Sequence, residues 1–578
     1  MKICRVEIEN YRNLKHVDVE LCKIMTLIGE NNSGKSNFLR ALSIPLSSDD
    51  GGTSKRLSWY DINKEAKQDY YDFLKTNKQN IIDNALSVEE LQSHIPCVMI
   101  KLLFQPEKHE HYSVKDILVD EEKWIGGVLY RFFVKKPNEL LERVRTIMID
   151  DQYDESTQMS LLPIELFEYS ITVPNKGNRV PYDILTNFRS IILQAERDDF
   201  VSNVDRLGSK ALSDLLQKGL MPKSVAKIEK AYAEFFRTVK TEGKLDSVIN
   251  WQDYSDIPNA QEFFKHISIL PNMPQMSSII GSIRLGYQDD NMFTQGLGHR
   301  NLILITVILN SYLSQENNIS FRLLTVEEPE AHLCNSNILL MASLFNLFSQ
   351  KNKYTQIVYS THNAEFVNKV GLDNVIVFHK GCLFNLGVEL TETERDYLTA
   401  NPNIDIFKLL YSKRVILVEG ITEELLIKSY LQTRQDLQDI KVISFHKGFT
   451  KIIDIWKKIN IGSDNKLGVV RDFDNQPKAQ ENHETRQDEH VIVRTTKEYT
   501  LETEITNANY NLLIEKYGEL YGWSNLTADQ LQLKWRDNKS DVMLRISHDL
   551  VLGELEGFIM PSHIMDVLTF LIGEKDEC

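Results

Sequence analysis

The sequence predicts an α/β protein of at least two domains. An apolar segment at residues 24–28 leads into a glycine-rich loop at 29–36, the arrangement of a strand, a loop and a helix. Much later, the apolar segment 415–418 ends in an acidic residue and a glycine. The chain has 578 residues, which is too many for one compact core.

The composition is that of an ordinary soluble protein, with 42% hydrophobic and 26% charged residues. No apolar run approaches the ~20 residues of a membrane span, and no apolar signal segment is visible at the N-terminus. We therefore expect a cytoplasmic protein with no membrane partner. The cysteines form no CxxC pair, which argues against zinc and disulfides and fits a reducing compartment. They are Cys4, Cys22, Cys97, Cys334, Cys382 and Cys578.

The formal net charge of −16 argues against a protein that coats DNA with its whole surface. A local basic groove remains compatible with this charge. Part of the acidic surplus is expected to serve as metal ligands.

We predict four segments along the chain: an N-terminal α/β part at 1–195, a helical insertion at 196–275, a second α/β part at 276–400, and a separate α/β domain at 405–578. The insertion carries an apolar stripe of nearly heptad spacing. Such a stripe opposite charged residues is typical of a solvated amphipathic helix, and the alternative is a dimerisation arm. The stripe consists of Val225, Ile228, Tyr232, Phe235 and Val239.

The loop Gly29-Glu30-Asn31-Asn32-Ser33-Gly34-Lys35-Ser36 matches G-x-x-x-x-G-K-[ST] in full. In this pattern, backbone N–H groups hold the β-phosphate, the lysine neutralises phosphate oxygens, and the hydroxyl binds Mg²⁺. We therefore expect ATP as a cofactor. The residues predicted to hold it here are Gly29, Asn32, Gly34, Lys35, Ser36 and Asn37.

A second predicted strand, at 323–326, delivers Glu327 and Glu328 to the edge of the sheet where α/β proteins bind ligands. Glu327 is expected in the Mg²⁺ shell, and Glu328 is expected to orient or deprotonate the attacking water. Adjacent acids after an apolar strand are a weak signal alone, and the nearby glycine-rich loop gives them their weight.

Two further features complete the predicted nucleotide site. His362 follows an apolar strand at 357–359 and is placed to sense the γ-phosphate, although a lone histidine is more often structural. Gly298 lies in a glycine-rich turn that opens a long apolar helix, where phosphate from a second subunit can bind.

The order of these motifs resembles the ABC-type ATPase heads of chromosome-maintenance and repair proteins. The order is the glycine loop, the large insertion, the glycine-rich turn, EEPEAHL at 327–333 and STH at 360–362. The resemblance implies ATP hydrolysis between two subunits. We therefore expect at least a homodimer, with Gly298 completing the ATP site of the partner.

A cluster of carboxylates is predicted in the C-terminal domain. Glu419 ends the strand at 415–418, and Glu423 follows it by four residues. Asp472 and Asp474 follow a second apolar strand and would face one side of an extended segment. Four clustered carboxylates repel one another unless cations compensate them, and hard oxygen ligands suit Mg²⁺ or Mn²⁺. Two such metals can activate water against a phosphodiester.

An E-G strand end followed by D-x-D resembles the Toprim fold of topoisomerases, primases and some nucleases. The same resemblance adds Glu502, in the segment Thr500-Leu501-Glu502-Thr503-Glu504, as a further metal ligand.

An ABC-type head followed by a Toprim domain resembles the OLD (overcoming lysogenisation defect) family, which includes Gabija and retron-associated phage-defence nucleases. The resemblance implies a DNA endonuclease that dimerises through the inserted helices and works with a helicase or with a reverse transcriptase and its RNA/DNA. Two departures are Cys334, where many relatives have histidine, and Met560, where the family often has a catalytic lysine. Lys539, Arg545 and His563 are the candidate substitutes.

Three alternatives differ in their chemistry. The main one is a non-catalytic, ATP-driven DNA clamp with a degenerate Toprim domain. A topoisomerase would need a tyrosine nucleophile domain, and a primase would need template-binding elements, and neither is visible in the sequence. Metal-dependent plasmid nicking separates the nuclease from the clamp.

Overall fold

The computed structural model describes most of the chain. The described residues are 1–48, 54–149, 158–194, 207–244, 256–258, 262–263, 266–267, 270, 274–283, 285–287, 290–313, 319–363, 366–367, 371–379, 382–400, 409, 412–445 and 448–573. The predicted boundary near residues 400–405 lies almost entirely outside them, and so do parts of the predicted insertion.

The N-terminal part combines an antiparallel sheet with strands of a second, mostly parallel sheet. Its strands are β1 (Lys2–Tyr11), β2 (Leu14–Glu20), β3 (Ile24–Gly29), β4 (Ser47–Ser48), β5 (Val98–Gln105), β6 (Leu118–Asp120), β7 (Ile125–Val134), β8 (Phe167–Thr172) and β9 (Phe188–Leu193). Its helices are α1 (Lys35–Ser43), α2 (Lys64–Thr76), α3 (Lys78–Ile82), α4 (Val88–His94), α5 (Pro137–Ile149), α6 (Gln158–Leu161) and α7 (Tyr182–Asn187).

The middle of the chain adds the insertion and the rest of the second sheet. The helices are α8 (Leu207–Gly219), α9 (Pro222–Glu242), α10 (Met276–Gly281), α11 (Leu297–Leu313), α12 (Asn335–Lys351), α13 (Leu386–Glu389) and α14 (Glu392–Thr399). The strands are β10 (Gly286–Tyr287), β11 (Asp290–Asn291), β12 (Phe321–Glu327), β13 (Thr355–Ser360), β14 (Val375–His379) and β15 (Cys382–Asn385).

The second sheet brings distant segments to one edge. Its strand order is β15-β14-β3-β13-β12-β9-β4, and β3, β13, β12 and β9 run parallel to one another. The carboxyl ends of β3, β12 and β13 therefore meet at one edge, which is where parallel sheets bind ligands. The antiparallel sheet, in the order β2-β1-β5-β7-β6 with β8 on β7, packs beside it through a shared apolar core.

The C-terminal part is a parallel four-stranded sheet covered by helices. Its strands are β16 (Arg414–Val418), β17 (Lys441–Ser444), β18 (Lys466–Arg471) and β19 (Val491–Thr495), in the order β17-β16-β18-β19. Its helices are α15 (Ile421–Gln432), α16 (Phe449–Ile459), α17 (Pro477–Glu484), α18 (Leu501–Tyr521), α19 (Ala528–Asp537), α20 (Lys539–Val551) and α21 (Ser562–Ile572). The predicted α/β class is confirmed in both parts.

One apolar core joins the two parts. Ile28, at the end of β3, belongs to the same buried cluster as Val377 of β14, Leu417 of β16 and Trp456 of α16. The strand that leads to the glycine loop and the strand that leads to Glu419 therefore share their packing.

The inserted helix α9 contrasts with this core, because no residue along it is buried. Phe235 is 62% exposed and Val239 is 40% exposed. Within the described part of the chain, the stripe is thus not a core element of its own domain. Its predicted role in dimerisation stays a prediction. None of the described helices has the length and apolarity needed to cross a membrane.

Candidate functional site

The glycine loop has the backbone shape that its glycines permit. Gly29 has a φ of 152° and Gly34 has a φ of 117°, conformations that side chains disfavour. A Cβ on Gly29 would lie 2.6 Å from the carbonyl oxygen of Phe378. Gly34 is the N-cap of α1, so the loop ends at a helix N-terminus with free N–H groups.

A cavity of about 370 Å³ opens at this loop. It collects residues from three separate parts of the predicted nucleotide site: Asn31, Asn32, Gly34, Lys35, Ser36, Asn37, Glu328 and His362. Glu327 ends β12, paired with Ser360 of β13, so it lies at the same sheet edge. The fold therefore brings these residues together as the sequence indicated.

Lys35 is buried beneath the loop. Its Nζ donates hydrogen bonds to the carbonyl oxygens of Gly29, at 2.9 Å, and Glu30, at 2.8 Å. Burial lowers the pKa of Lys35 to about 8, and the nearby carboxylates of Glu328, Glu30 and Glu330 oppose this effect. An anion in the cavity would compensate the positive charge of the Lys35 ammonium group, which the neutral carbonyls of Gly29 and Glu30 do not.

Glu328 and His362 face each other across the cavity. The Nε2 of His362 lies 3.5 Å from Oε1 of Glu328. Burial lowers the pKa of His362, the Lys35 charge lowers it further, and Glu328 raises it. Glu328 has a φ of 43°, and its N–H donates to the carbonyl oxygen of Ser360 at 3.1 Å, which places its side chain at the strand edge.

Glu330 is a site residue that the sequence reasoning missed. Its Oε1 accepts hydrogen bonds from the Thr361 hydroxyl at 2.7 Å and from the His362 N–H at 2.8 Å. Burial raises the pKa of its carboxyl. Glu330 therefore ties the segment after β12 to the histidine. Its place in the Glu327-Glu328-Pro329-Glu330 motif was the available signal.

Gly298 lies in the first turn of α11 and does not line the phosphate cavity. A Cβ there would lie 2.2 Å from the carbonyl oxygen of His332, so only glycine fits. This close packing inside a single chain is enough to require glycine at position 298. Its predicted contact with a partner's nucleotide stays a prediction.

The predicted carboxylates gather at the ends of two adjacent parallel strands. β16 pairs with β18 in parallel, and Glu419 and Asp472 follow their last residues. The Asp472 N–H donates to Oε2 of Glu419 at 3.3 Å, and Oδ1 of Asp472 accepts from the Leu501 N–H at 3.0 Å. Burial raises the pKa of Asp472 to about 8, and the neighbouring Glu423, Glu502 and Glu419 raise it too.

Glu423 and Glu502 complete this group. Glu423 Oε2 accepts from the Gly420 N–H at 3.0 Å and the Thr422 hydroxyl at 3.1 Å. Glu502, in the first turn of α18, is 1% exposed, and its Oε2 is buried without a hydrogen-bond partner. Its Oε1 lies 3.0 Å from Nζ of Lys539.

The expected geometry of Asp474 is wrong. Asp472 and Asp474 would share one side only on an extended segment, but β18 ends at Arg471, and Asp474 has a φ of 48°. The chain turns because the Phe473 N–H donates to the Thr496 hydroxyl and the Asp474 N–H donates to the Tyr499 carbonyl. Alternation along a strand therefore does not place Asp474 beside Asp472.

The cation substitutes are separated by the fold. Lys539 contacts the cluster of Glu419, Glu423, Asp472 and Glu502 through Glu502, whereas the other two candidates pair with acids outside this cluster. Arg545 Nε lies 3.3 Å from Asp549 Oδ2, and His563 Nδ1 lies 2.8 Å from Glu504 Oε2. Met560 is buried in the apolar core.

The donor set suits a divalent cation. A buried, unpartnered carboxylate oxygen on Glu502 and the crowding that raises the pKa of Asp472 both indicate missing positive charge. Within the described residues, no three acidic, histidine or cysteine side chains already converge on one coordination point. In the present arrangement, hydrogen bonds hold Glu423 and an ammonium group holds Glu502.

Comparison with known proteins assigns both parts of the chain. Residues 1–161 and 196–367 match the AAA ATPase domain family AAA_15, over more than half of the chain. Residues 410–474 match the overcoming lysogenization defect protein-like TOPRIM domain. The chain belongs to the OLD family of ATPase–Toprim proteins. These two domains place it among hydrolases that pair an ATPase with a nuclease-type domain.

Two curated relatives span most of this OLD-family chain. Endonuclease GajA of Bacillus cereus (strain HuB5-5) is 19% identical over 501 residues, which cover 76% of the chain and 68% of the relative. Endonuclease GajA of Bacillus cereus (strain VD045) is 22% identical over 453 residues, covering 75% and 68%.

Solved structures with similarity to this chain include SMC heads. The SmcHead bound to the C-winged helix domain of ScpA has a TM-score of 0.30 at 13% identity, covering 66% of this chain and 97% of that one. The SMC head domain from Thermotoga maritima has a TM-score of 0.27 at 11% identity, covering 67% and 99%. Neither likeness is strong enough to bear on function.

Proposed function

We propose that this OLD-family protein is an ATP-hydrolysing, divalent-metal-dependent DNA endonuclease that acts as an anti-phage defence effector. The observation that carries the proposal is the crowded group of Glu419, Glu423, Asp472 and Glu502 in a domain of the Toprim class. The two GajA relatives, named as endonucleases, support the same activity.

In the ATPase part, the cavity residues divide the work on the nucleotide. Lys35 neutralises phosphate oxygens once they replace the loop carbonyls, and Ser36 and Glu327 are the candidate Mg²⁺ ligands. Glu328 orients or deprotonates water for attack on the γ-phosphate. His362 reports on that phosphate, and Glu330 holds the backbone of His362 in place.

In the Toprim part, Glu419, Glu423, Asp472 and Glu502 are the residues that would hold Mg²⁺ or Mn²⁺, and Asp474 remains a candidate from the family resemblance. Bound metal supplies an activated water and stabilises the leaving oxygen of the phosphodiester. Lys539 is the candidate cation for the DNA phosphate, because its ammonium group already lies at Glu502.

The proposed assembly is a homodimer or larger. Exposed apolar side chains on α9 favour a contact through the inserted helix. A second chain would also give Gly298 a nucleotide to contact. A helicase, or a reverse transcriptase with its RNA/DNA, is the proposed defence partner, since the net charge of −16 favours a separate protein that delivers DNA.

The test is nicking or linearisation of a supercoiled plasmid in Mg²⁺, Mn²⁺, Ca²⁺ and EDTA. We expect cutting in Mg²⁺ or Mn²⁺ that is lost in Glu419→Ala. Glu424→Ala is the matched control, because Glu424 lies in the first turn of α15, next to Glu423, but pairs with the exposed Lys428. Lys539→Met should slow cutting while leaving the protein folded.

The clamp alternative is favoured by one observation, the ammonium group of Lys539 at the place where a metal would compensate Glu502. A clamp would bind DNA in an ATP-dependent way without cutting it in any metal. Undiminished cutting by Glu419→Ala would show that the nuclease centre lies elsewhere.

A further inference from the structure

The loop between β19 and α18, residues 496–500, holds the chain on both sides of Asp472. Three hydrogen bonds join this loop to the end of β18 and the turn that follows it. They run from the Thr496 N–H to the Arg471 carbonyl at 3.0 Å, from the Phe473 N–H to the Thr496 hydroxyl at 2.9 Å, and from the Asp474 N–H to the Tyr499 carbonyl at 3.2 Å. Leu501, directly after the loop, donates its N–H to Oδ1 of Asp472 at 3.0 Å. A shift of the loop would therefore move both the backbone and the side chain of Asp472.

Glu504, in the first turn of α18, braces the same loop from behind. Its Oε1 accepts hydrogen bonds from the N–H groups of Lys497 and Glu498, the latter at 3.4 Å. The Glu498 carbonyl accepts from the Thr496 hydroxyl at 2.9 Å, and this is the hydroxyl that accepts the Phe473 N–H. A continuous chain of hydrogen bonds thus leads from the Glu504 carboxylate to the turn that follows β18.

His563, at the start of the distant helix α21, fixes Glu504 in this position. Its Nδ1 lies 2.8 Å from the other carboxylate oxygen, Oε2, and it is the donor because an ionised carboxylate only accepts. The side chains of His563 and Glu504 are 2% and 9% exposed. Loss of the imidazole would therefore leave a buried carboxylate oxygen without its donor.

The imidazole of His563 is committed to this one contact. Within the described residues, its Nε2 has no hydrogen-bond partner, and its Nδ1 is taken by Glu504. A buried ring in this arrangement is not placed to contact a DNA phosphate as a catalytic cation would. Any effect of His563 on the acidic cluster must instead pass through Glu504 and the loop.

We propose that Glu504 and His563 are positioning residues for the metal site, holding the 496–500 loop and, through it, Asp472 in the arrangement that binds a divalent cation. The inference rests on the proposed function for the metal site itself. Hydrogen bonds behind metal ligands keep those ligands oriented, and their loss typically lowers metal affinity by about 10- to 100-fold.

Two substitutions of His563 differ in the hydrogen bond that matters. His563→Asn keeps an N–H donor where Nδ1 of the ring lies, whereas His563→Leu fills the space without a donor. Leu568→Ala is the matched control for lost stability, because Leu568 lies in the same helix and packs in the apolar core. It should destabilise the fold without removing a hydrogen bond from the loop.

The first measurement is the Mn²⁺ affinity of the full chain without nucleotide, taken from the EPR signal of free Mn²⁺. Asp472→Asn gives the binding at other sites, which is subtracted. We expect His563→Leu to weaken the Asp472-dependent site by about 10- to 100-fold. His563→Asn should restore most of the affinity, and Leu568→Ala should lower the melting temperature but leave the affinity unchanged.

The second measurement reports on the loop without any metal. Hydrogen exchange in EDTA, followed by peptide mass spectrometry, should be faster at Lys497 and Glu498 in His563→Leu than in the wild type. His563→Asn and Leu568→Ala should keep the wild-type protection at these two amides. This readout separates a moved loop from a general loss of stability, which would speed exchange in Leu568→Ala as well.

Thr496→Val tests the same chain of hydrogen bonds at its other end. Thr496 is 3% exposed, and valine keeps its shape while removing the hydroxyl that accepts the Phe473 N–H. The variant leaves Glu504 and His563 intact, so Lys497 and Glu498 should stay protected while Mn²⁺ affinity falls. Combined with His563→Leu, it should lose less affinity than the two single losses together, because both changes break one connection.

Wild-type Mn²⁺ affinity in Thr496→Val, or in a folded His563→Leu, would overturn the proposal. Equal losses in His563→Asn and His563→Leu, or an equal loss in Leu568→Ala, would also overturn it, because such losses do not depend on the hydrogen bond to Glu504. If the wild type itself shows no Asp472-dependent Mn²⁺ binding, the proposed function fails and this inference falls with it. Normal wild-type binding that the variants retain refutes this inference alone.

Discussion

Asp472→Asn should stabilise the metal-free protein while removing a ligand from its proposed nuclease site. Asp472 lies among Glu419, Glu423 and Glu502, and burial together with these charges raises its pKa to about 8. Asparagine keeps the shape and keeps the oxygen that accepts the Leu501 N–H. It carries no charge that the crowded site must accommodate.

The size of the effect follows from the pKa difference. The pKa of the Asp472 carboxyl rises from 3.8 to about 8 on folding, and one pKa unit corresponds to about 1.4 kcal/mol. The folded protein prefers the protonated form, so its stability falls as the pH rises above 3.8, and the loss is complete above about pH 8. At pH 7, removing the charge should raise the free energy of unfolding by at most about 4 kcal/mol.

The assay is urea unfolding in EDTA at pH 5, 7 and 9, with the wild type, Asp472→Asn and the surface control Asp566→Asn. The advantage of Asp472→Asn should grow from pH 5 to pH 9, and the control should show no such trend, because Asp566 is exposed beside Arg494. Mg²⁺ should then stabilise the wild type more than Asp472→Asn. Equal stability of Asp472→Asn and the wild type at pH 9 would refute the reasoning.

Three further predictions concern the ATPase part and assembly. ATP affinity should fall by up to about tenfold per pH unit above pH 8. Burial lowers the pKa of Lys35 to about 8, so above that pH the lysine must take up a proton before it can bind phosphate. Calorimetry across pH 6.5–9.5 measures the affinity, and a flat profile would contradict the prediction. Glu328→Gln should bind ATP with wild-type affinity but release phosphate at least about a hundredfold more slowly, since the water loses its base. Ile228→Glu and Phe235→Glu should convert a dimer to monomers in light scattering with the melting temperature unchanged; unfolding instead would show that the stripe is core.

The nucleotide site was largely predictable from the sequence. The glycine loop is one contiguous motif, and the acids after β12 and the histidine after β13 occupy neighbouring parallel strands. Order along such strands implies proximity at the sheet edge, so Lys35, Glu328 and His362 line one cavity. Glu330 was missed because its role depends on a hydrogen bond to the His362 N–H across two strands, which spacing does not reveal.

For the acidic cluster of the C-terminal domain, the sequence predicted which residues meet better than it predicted how they are arranged. Parallel pairing of β16 with β18 brings Glu419 beside Asp472, as expected. Asp474 departs from the expectation because the strand ends one residue before the motif and the chain turns. The choice among Lys539, Arg545 and His563 needed the packing of distant helices.

The proposed function requires that Glu419, Glu423, Asp472 and Glu502 form a metal-dependent DNA nuclease centre. The most direct measurement is cleavage of a supercoiled plasmid in Mg²⁺ by wild type and Asp472→Asn, each shown to be folded by its unfolding curve. We expect the wild type to cut the plasmid and to stop cutting in EDTA, and we expect no cutting by the more stable Asp472→Asn variant. Equal cutting by the two proteins would contradict it.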